Sequence, residues 1–266
     1  MTDITGSEVS AAIREIASPG REIALFLDFD GTLVEIAPAP DDVRLDRRVG
    51  PALDTLSRRL GGALALVSGR PVSFLDQVLD PYIFDAAGLH GAQIRMEGEV
   101  RAQEDVPDAM REATRDLVRF ANSNVGVIIE DKRISIALHW RLAPQLKDEA
   151  LALIRAIAER MGPSVRLQEG KAVAELVPAG ASKGNAITWM MQQAPYAGRL
   201  PVFIGDDITD EAGFQAVNAL GGLSIRIGDG ETCAIHRLAS PTRLRNILLA
   251  AAENGELTSA SFYQDL

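Results

Sequence analysis

A single cysteine, Cys233, stands in 266 residues. That excludes an internal disulfide and any zinc site built on cysteines, and leaves Cys233 as a small structural residue. Histidine is scarce at three, and aromatic residues make up only 5%. No apolar stretch approaches the roughly 20 residues that a membrane helix requires. The N-terminal residues, Met1 to Glu8, lack the basic start and apolar middle of a secretory signal, so a cytoplasmic location is the default expectation. Basic residues are outnumbered: 27 Lys and Arg face 37 Asp and Glu, for a net charge of -10. A nucleic-acid binder would need a basic face, and this balance disfavours one. No membrane partner is indicated either.

What is present is a globular profile, 47% hydrophobic and 24% charged, with enough chain for a sizeable core and one or two domains. The charge is unevenly spread. Residues 105–178 are balanced between acid and base, and the rest of the chain carries the whole deficit. Either an inserted unit or chance would give that pattern.

Apolar periodicity divides the chain. After a short helix over 7–18, Ile23 to Leu27 reads as a buried strand. Residues 34–46, with Pro38 and Pro40, form a loop. Val49, Leu53, Leu56 and Leu60 have helical spacing and stop at Gly61-Gly62. A second strand runs from Ala63 to Val67, a helix from Pro71 to Leu79, and a third strand from Ile83 to Ala87. Strands alternating with helices over short links predict a parallel sheet. Helix, strand and strand then repeat twice, over 107–122 with 125–141 and over 144–161 with 165–177. A tight turn at Asp131-Lys132 would set Glu130 opposite Arg133. Alternation puts Ile134, Ile136, Leu138 and Trp140 on one face, and Glu130, Arg133, Ser135, His139 and Arg141 on the other. Lys171 and Glu175 share a face of the second strand pair. The α/β pattern resumes at Ser182, which can cap a helix to about Gln193. Strands at 200–205 and 223–227 and helices at 208–217 and 241–252 complete it. The expected fold class is α/β: a Rossmann-like parallel-sheet core, 1–104 and 179–266, with an inserted α+β module, 105–178.

Three of these strands end in polar groups: Asp28 and Asp30, Ser68, and Asp206 with Asp207. Lys183 opens the helix before the last. In an open parallel sheet, ligands bind beyond the carboxyl ends of the strands. Crowded carboxylates repel, so one holds a proton or a cation lies between them. A hard divalent ion such as Mg²⁺, shared with a substrate phosphate, is the usual neutraliser.

Asp28-Phe29-Asp30-Gly31-Thr32, Ser68, Lys183 and the run from Gly205 through Asp206, Asp207 and Thr209 to Asp210 resemble the four motifs of the haloacid-dehalogenase-like phosphatases. The resemblance implies that Asp28 attacks phosphorus to form an aspartyl phosphate. It implies that Asp30 serves as acid and then base, while Ser68 and Lys183 hold phosphoryl oxygens. It implies Mg²⁺ on Asp28, the Asp30 carbonyl and Asp206, with Asp207 and Asp210 positioning the metal or its waters. Arg70 either touches substrate or forms a local ion pair.

The insert resembles the second type of cap (C2) in that superfamily. Its residues Glu130-Asp131-Lys132, Ser135 to Arg141, Glu169-Gly170-Lys171 and Glu175 to Pro178 resemble those of the trehalose-6-phosphate phosphatases, with Trp140 where tyrosine is common. The implied small-molecule substrate is trehalose 6-phosphate, contacted by Glu130, Lys132, Lys171 and Glu175, with His139 and Arg141 on sugar or phosphate or simply paired with Glu130. His90 reads as a structural hydrogen bond at the junction of core and cap. A phosphatase of another sugar phosphate, such as sucrose phosphate or mannosylglycerate phosphate, is the alternative. A non-catalytic sugar-phosphate sensor is a weaker one. The oligomeric state is left open, with a monomer favoured.

Overall fold

A computed structural model describes residues 22–36, 42–102, 108–131, 135–255, 257 and 259–262. The helix read over 7–18, the prolines at 38 and 40, and Lys132, Arg133 and Ile134 lie outside the described residues.

The larger sheet has eight strands. At its centre, β1 (Ile23–Leu27) is entirely buried, because every one of its side chains is apolar. It pairs in parallel with β2 (Leu64–Val67) on one side and with a later strand (Leu200–Gly205) on the other. Beyond β2 lies β3 (Asp85–Gly88), again parallel. Then β4 (Gln93–Met96) and β5 (Glu99–Ala102) close that edge as an antiparallel hairpin. The chain order therefore reverses across β1, and such a reversal opens a crevice at the carboxyl ends of the strands. Helices α1 (Val49–Arg59) and α2 (Val72–Leu79) link β1 to β2 and β2 to β3.

The smaller sheet is antiparallel, in the order β6 (Ile128–Asp131), β7 (Ile136–His139), β9 (Val173–Pro178), β8 (Val165–Gly170). Helices α3 (Asp108–Ser123) and α4 (Lys147–Met161) cover one face. Met110 and Leu117 from α3, Ile154 and Ile157 from α4, and Ile136, Leu138, Trp140 and Leu176 from the strands form an apolar cluster of their own. Burying each such side chain contributes about 1.5–3 kcal/mol. The cluster has no residue in common with the larger core around Phe26, Phe29, Phe203 and Phe214.

The chain returns through Ser182, whose hydroxyl accepts the Asn185 N–H at 3.0 Å and caps α5 (Lys183–Met190). That helix ends three residues earlier than the spacing predicts. Next come β10 (Leu200–Gly205), α6 (Glu211–Ala219), β11 (Leu223–Ile227), β12 (His236–Leu238) and α7 (Pro241–Asn254). The strands β10, β11 and β12 extend the sheet in parallel from β1.

Several sequence expectations need correction. The third strand starts at Asp85 rather than Ile83, whose side chain is exposed. The β4–β5 hairpin and β12 were not expected. The hairpin turns on Glu97 and Gly98, both with positive φ (53° and 82°), which is the backbone of a two-residue primed turn in which Asn-Gly would have been the clearer signal. In the smaller sheet, Glu130 lies opposite Ala137, not Arg133, and Asp131 opposite Ile136. The connection is thus four residues long, not two. The register moves by an even number, so each side chain keeps its face. Trp140 is buried in the apolar cluster, as alternation requires.

Candidate active site

The carboxyl ends of β1, β2, β3 and β10 meet beneath the polar face of the smaller sheet, enclosing a cavity of about 280 Å³. Its floor includes Asp28, Asp30, Arg70, Lys183, Asp206 and Asp207, and its roof Glu130, His139, Arg141, Gln168, Lys171 and Glu175. The site residues read from the sequence line this cavity, with three exceptions. Ser68 and Asp210 are buried just behind the floor. Lys132 lies outside the described residues.

Lys183 is the hub of the floor. Its Nζ donates to Asp28 Oδ1 at 2.7 Å and to Asp210 Oδ1 at 2.6 Å, and all three side chains are nearly sealed from solvent. Burial by itself would lower the lysine pKa, but Asp210 and Asp28 outweigh it and hold the ammonium firmly charged. A buried charge survives only with such partners. Asp210 also organises the loop after β10: its Oδ2 accepts the N–H groups of Asp206 and Asp207, both at 3.0 Å. Asp207 in turn caps the short turn that follows, accepting the Ile208 N–H at 2.7 Å.

The carboxylates crowd. Burial, then Asp210, raises the pKa of Asp28 well above the ordinary range, with Lys183 opposing. Burial and the neighbours Asp210 and Asp207 push Asp206 up to about 7. One oxygen each of Asp28, Asp206 and Asp210 lies within 4.8 Å of the others, and Asp206 Oδ1 is buried with no hydrogen-bond partner. Oxygen-only donors, surplus negative charge and an orphaned acceptor fit a hard metal cation.

Gly31 makes the close approach possible. Its φ is +78°, and a Cβ there would lie 2.0 Å from Asp206 Oδ2. Gly31→Ala is expected to destabilise the fold by about 1–3 kcal/mol through backbone strain, and to displace Asp206 with loss of turnover. Denaturant unfolding and phosphate release check both, and wild-type values in either would contradict the geometry.

Arg70 forms the local ion pair. Its Nε and Nη2 donate to the two oxygens of Asp30 at 2.8 and 2.9 Å, and its guanidinium lies 4.5 Å from the centre of the Phe74 ring. Ser68 does not cap α2. Pro71 is the cap residue, without a side-chain bond, and the Ser68 hydroxyl instead accepts the Arg70 N–H at 3.1 Å.

On the roof, His139 pairs with Glu130 at 3.1 Å. Glu175 accepts from Ser135 at 2.6 Å and meets the His90 ring at 3.2 Å. Arg141 reaches the Lys171 carbonyl at 3.4 Å. Glu169, by contrast, pairs with Arg155 of α4 and does not line the cavity. Gln168 was missed as a site residue. It stands directly opposite Glu175 in the β8–β9 ladder, so the register around Gly170 would have placed it on the polar face.

A parallel sheet reversing at β1, two aspartates at the end of that strand and a separate antiparallel cap make up the fold of the haloacid-dehalogenase superfamily. A subclass IIB sugar phosphatase of that superfamily shares the fold, with a TM-score of 0.56 at 16% identity over 88% of this chain and 99% of its own. The family model for trehalose-phosphatase matches residues 26–243, and the chain belongs to that family. It is 45% identical over 232 residues to a probable trehalose-phosphate phosphatase of Sinorhizobium fredii, covering 86% of this chain and 87% of that one. It is 45% identical over 218 residues to the trehalose-6-phosphate phosphatase of Escherichia coli K12, covering 81% of each. The C-terminal domain of the Candida albicans trehalose-6-phosphate phosphatase superposes with a TM-score of 0.78 at 20% identity, covering 94% of this chain and 97% of that one.

Proposed function

We propose that the chain is a cytoplasmic, monomeric, Mg²⁺-dependent enzyme that hydrolyses trehalose 6-phosphate to trehalose and phosphate, with residues 105–178 acting as a lid. The observation that carries this is the cavity in which an acidic, lysine-bearing floor faces a roof of paired polar side chains. The names of the 45% identical relatives support the choice of sugar. Among the described residues, no helix is long and apolar enough to cross a membrane.

Asp28 is the nucleophile, and attack by its free oxygen on phosphorus gives an aspartyl phosphate, splitting one hard displacement into two easier ones. A lysine has three N–H donors. Two of those on Lys183 go to Asp28 and Asp210, and the third serves a phosphoryl oxygen. The Ser68 hydroxyl holds another phosphoryl oxygen. Asp30 protonates the departing sugar oxygen and then takes a proton from the attacking water. Both of its oxygens face Arg70, so the pair must open first, and an arriving phosphate dianion competes for that guanidinium. Asp28, the Asp30 carbonyl and Asp206 would hold the Mg²⁺, with Asp207 and Asp210 positioning it or its waters. Bound there, the ion supplies charge neutralisation for the phosphoryl group.

On the roof, Glu130, Lys171 and Glu175 meet the uncharged disaccharide through its hydroxyls, together with His139 and Arg141, and Lys132 is a further sugar contact in this reading. Closure over the sugar excludes bulk water.

Phosphate release from a panel of sugar phosphates, each with Mg²⁺ and again with chelator, tests this reading. Trehalose 6-phosphate is expected to lead sucrose and mannosylglycerate phosphates by roughly 100-fold or more in kcat/KM, since paired polar groups discriminate strongly among hydroxyl patterns. Equal turnover across the panel would remove the substrate. Activity that survives chelation would remove the metal.

A further inference from the structure

His90 does more than join two surfaces. It follows β3 with a left-handed backbone, φ 56° and ψ 28°, and Leu89 before it is left-handed as well, at φ 49°. Consecutive left-handed residues with side chains are costly and persist only where the surroundings impose them. Here the loop after β2 does so. The His90 N–H donates to the Ser68 carbonyl at 2.9 Å, and the Leu89 N–H to the Arg70 carbonyl at 3.0 Å. Between those two acceptors stands Gly69, where an added Cβ would lie 2.6 Å from His90 Cε1. The missing side chain at 69 is therefore the space that the imidazole fills.

The ring then leaves the core and reaches the smaller sheet. Gln168 Nε2 lies 2.9 Å from Nδ1 and 3.0 Å from Nε2, and Glu175 Oε2 lies 3.2 Å from Nε2. With the ring proton on Nε2, the imidazole donates to Glu175 and Nδ1 is left to accept from the Gln168 amide. The other oxygen of Glu175 is fixed by Ser135 at 2.6 Å, and both the carboxylate and the imidazole are buried. The backbone of His90 thus grips the turn that holds the phosphoryl group, while its side chain grips a carboxylate that faces the sugar.

We infer that His90 is a positioning residue that couples the two halves of the site, aligning Glu175 for the sugar only when the smaller sheet is seated on the turn Ser68-Gly69-Arg70. This rests on the reading that the roof recognises the sugar. Its consequence is selective. A substrate with hydroxyls at the roof draws on the coupling, and a phosphate ester without them does not.

Steady-state kinetics of the whole chain on trehalose 6-phosphate and on p-nitrophenyl phosphate, which has no sugar, provide the test. The proteins are the wild type, His90→Asn, Glu175→Gln and the double variant. Asparagine tolerates the left-handed backbone but ends short of Glu175, and His90→Gly is a second variant that relieves the backbone altogether. His90→Asn and His90→Gly are expected to lose about 10–100-fold in kcat/KM on trehalose 6-phosphate, chiefly through KM, as for a lost hydrogen bond to a charged group. Both are expected to stay within about 3-fold of wild type on the aryl phosphate. The double variant is expected to be no worse on the sugar than Glu175→Gln alone, the non-additivity that marks one shared interaction. Equal losses on both substrates, an unchanged sugar phosphate, or losses that multiply in the double variant would each overturn the coupling. A wild type that does not prefer the sugar phosphate removes the sugar reading itself, and the coupling with it. A wild type with that preference and an indifferent His90 removes the coupling alone.

Discussion

Asp28→Asn is expected to release phosphate at less than roughly 1/10⁴ of the wild-type rate, the scale of loss when a reacting group is removed from a covalent mechanism. The same protein is expected to fold at least as well as the wild type. An amide has nearly the shape of the carboxylate. Lys183 keeps Asp210 at 2.6 Å, so no charge is stranded. Burial and Asp210 already work against the charge on Asp28, so in the metal-free protein removing it relieves repulsion within the floor. Activity would therefore collapse without a stability defect. Two measurements separate the cases: phosphate release, and thermal melting in chelator. Acid quenching of the wild type with labelled substrate should trap phosphate on the protein, and the variant should trap none. An asparagine variant that still turns over would end the role assigned to Asp28.

Lys183→Met is expected to fail in the opposite way, in stability as well as rate. Methionine fills the volume but donates nothing. Asp28 and Asp210 would remain buried, at 3% and 0% exposure, facing each other and Asp206 without their shared cation. Removing one partner of a buried charge network typically costs about 3–5 kcal/mol, because the remaining charges stay desolvated. Denaturant unfolding in chelator gives the size of the loss through its midpoint. Mg²⁺ is expected to recover more stability in this variant than in the wild type, since a bound cation does part of the work of the missing ammonium. An unchanged midpoint would mean that Lys183 does not hold the floor together.

The floor of this site was more legible in the sequence than the roof. Asp28, Asp30, Ser68, Lys183 and Asp206 each sit at a strand end or a helix start, and such positions follow from local apolar runs and the rule that open sheets bind at their carboxyl edge. The roof depends on pairing, which is not local. The hairpin turn was read as two residues and is four, so Glu130 faces Ala137 rather than Arg133. Parity rescued the face but not the neighbours. The pairing of His139 with Glu130 was readable because both residues lie on that face. Gln168 was missed although its partner Glu175 had been placed. The contact between Arg70 and Asp30 was open at the sequence level because 40 positions separate them, and only the adjacency of β1 and β2 brings them within 2.8 Å. The β4–β5 hairpin was invisible for a simpler reason. Its four-residue strands alternate too briefly, and Glu97 takes a positive φ that glutamate rarely adopts.

The two apolar clusters with no residue in common have a consequence for how this molecule wears out. Cooperative units open separately when few buried contacts join them. The carboxylates of the floor follow β1 and β10 at the middle of the larger sheet, while the roof is built on a four-stranded sheet with a small core of its own. Under mild heat or denaturant the smaller unit is expected to loosen first. An ageing population of this enzyme would lose its discrimination before its chemistry, and would pass through a stage of cleaving phosphate esters without regard to the sugar they carry.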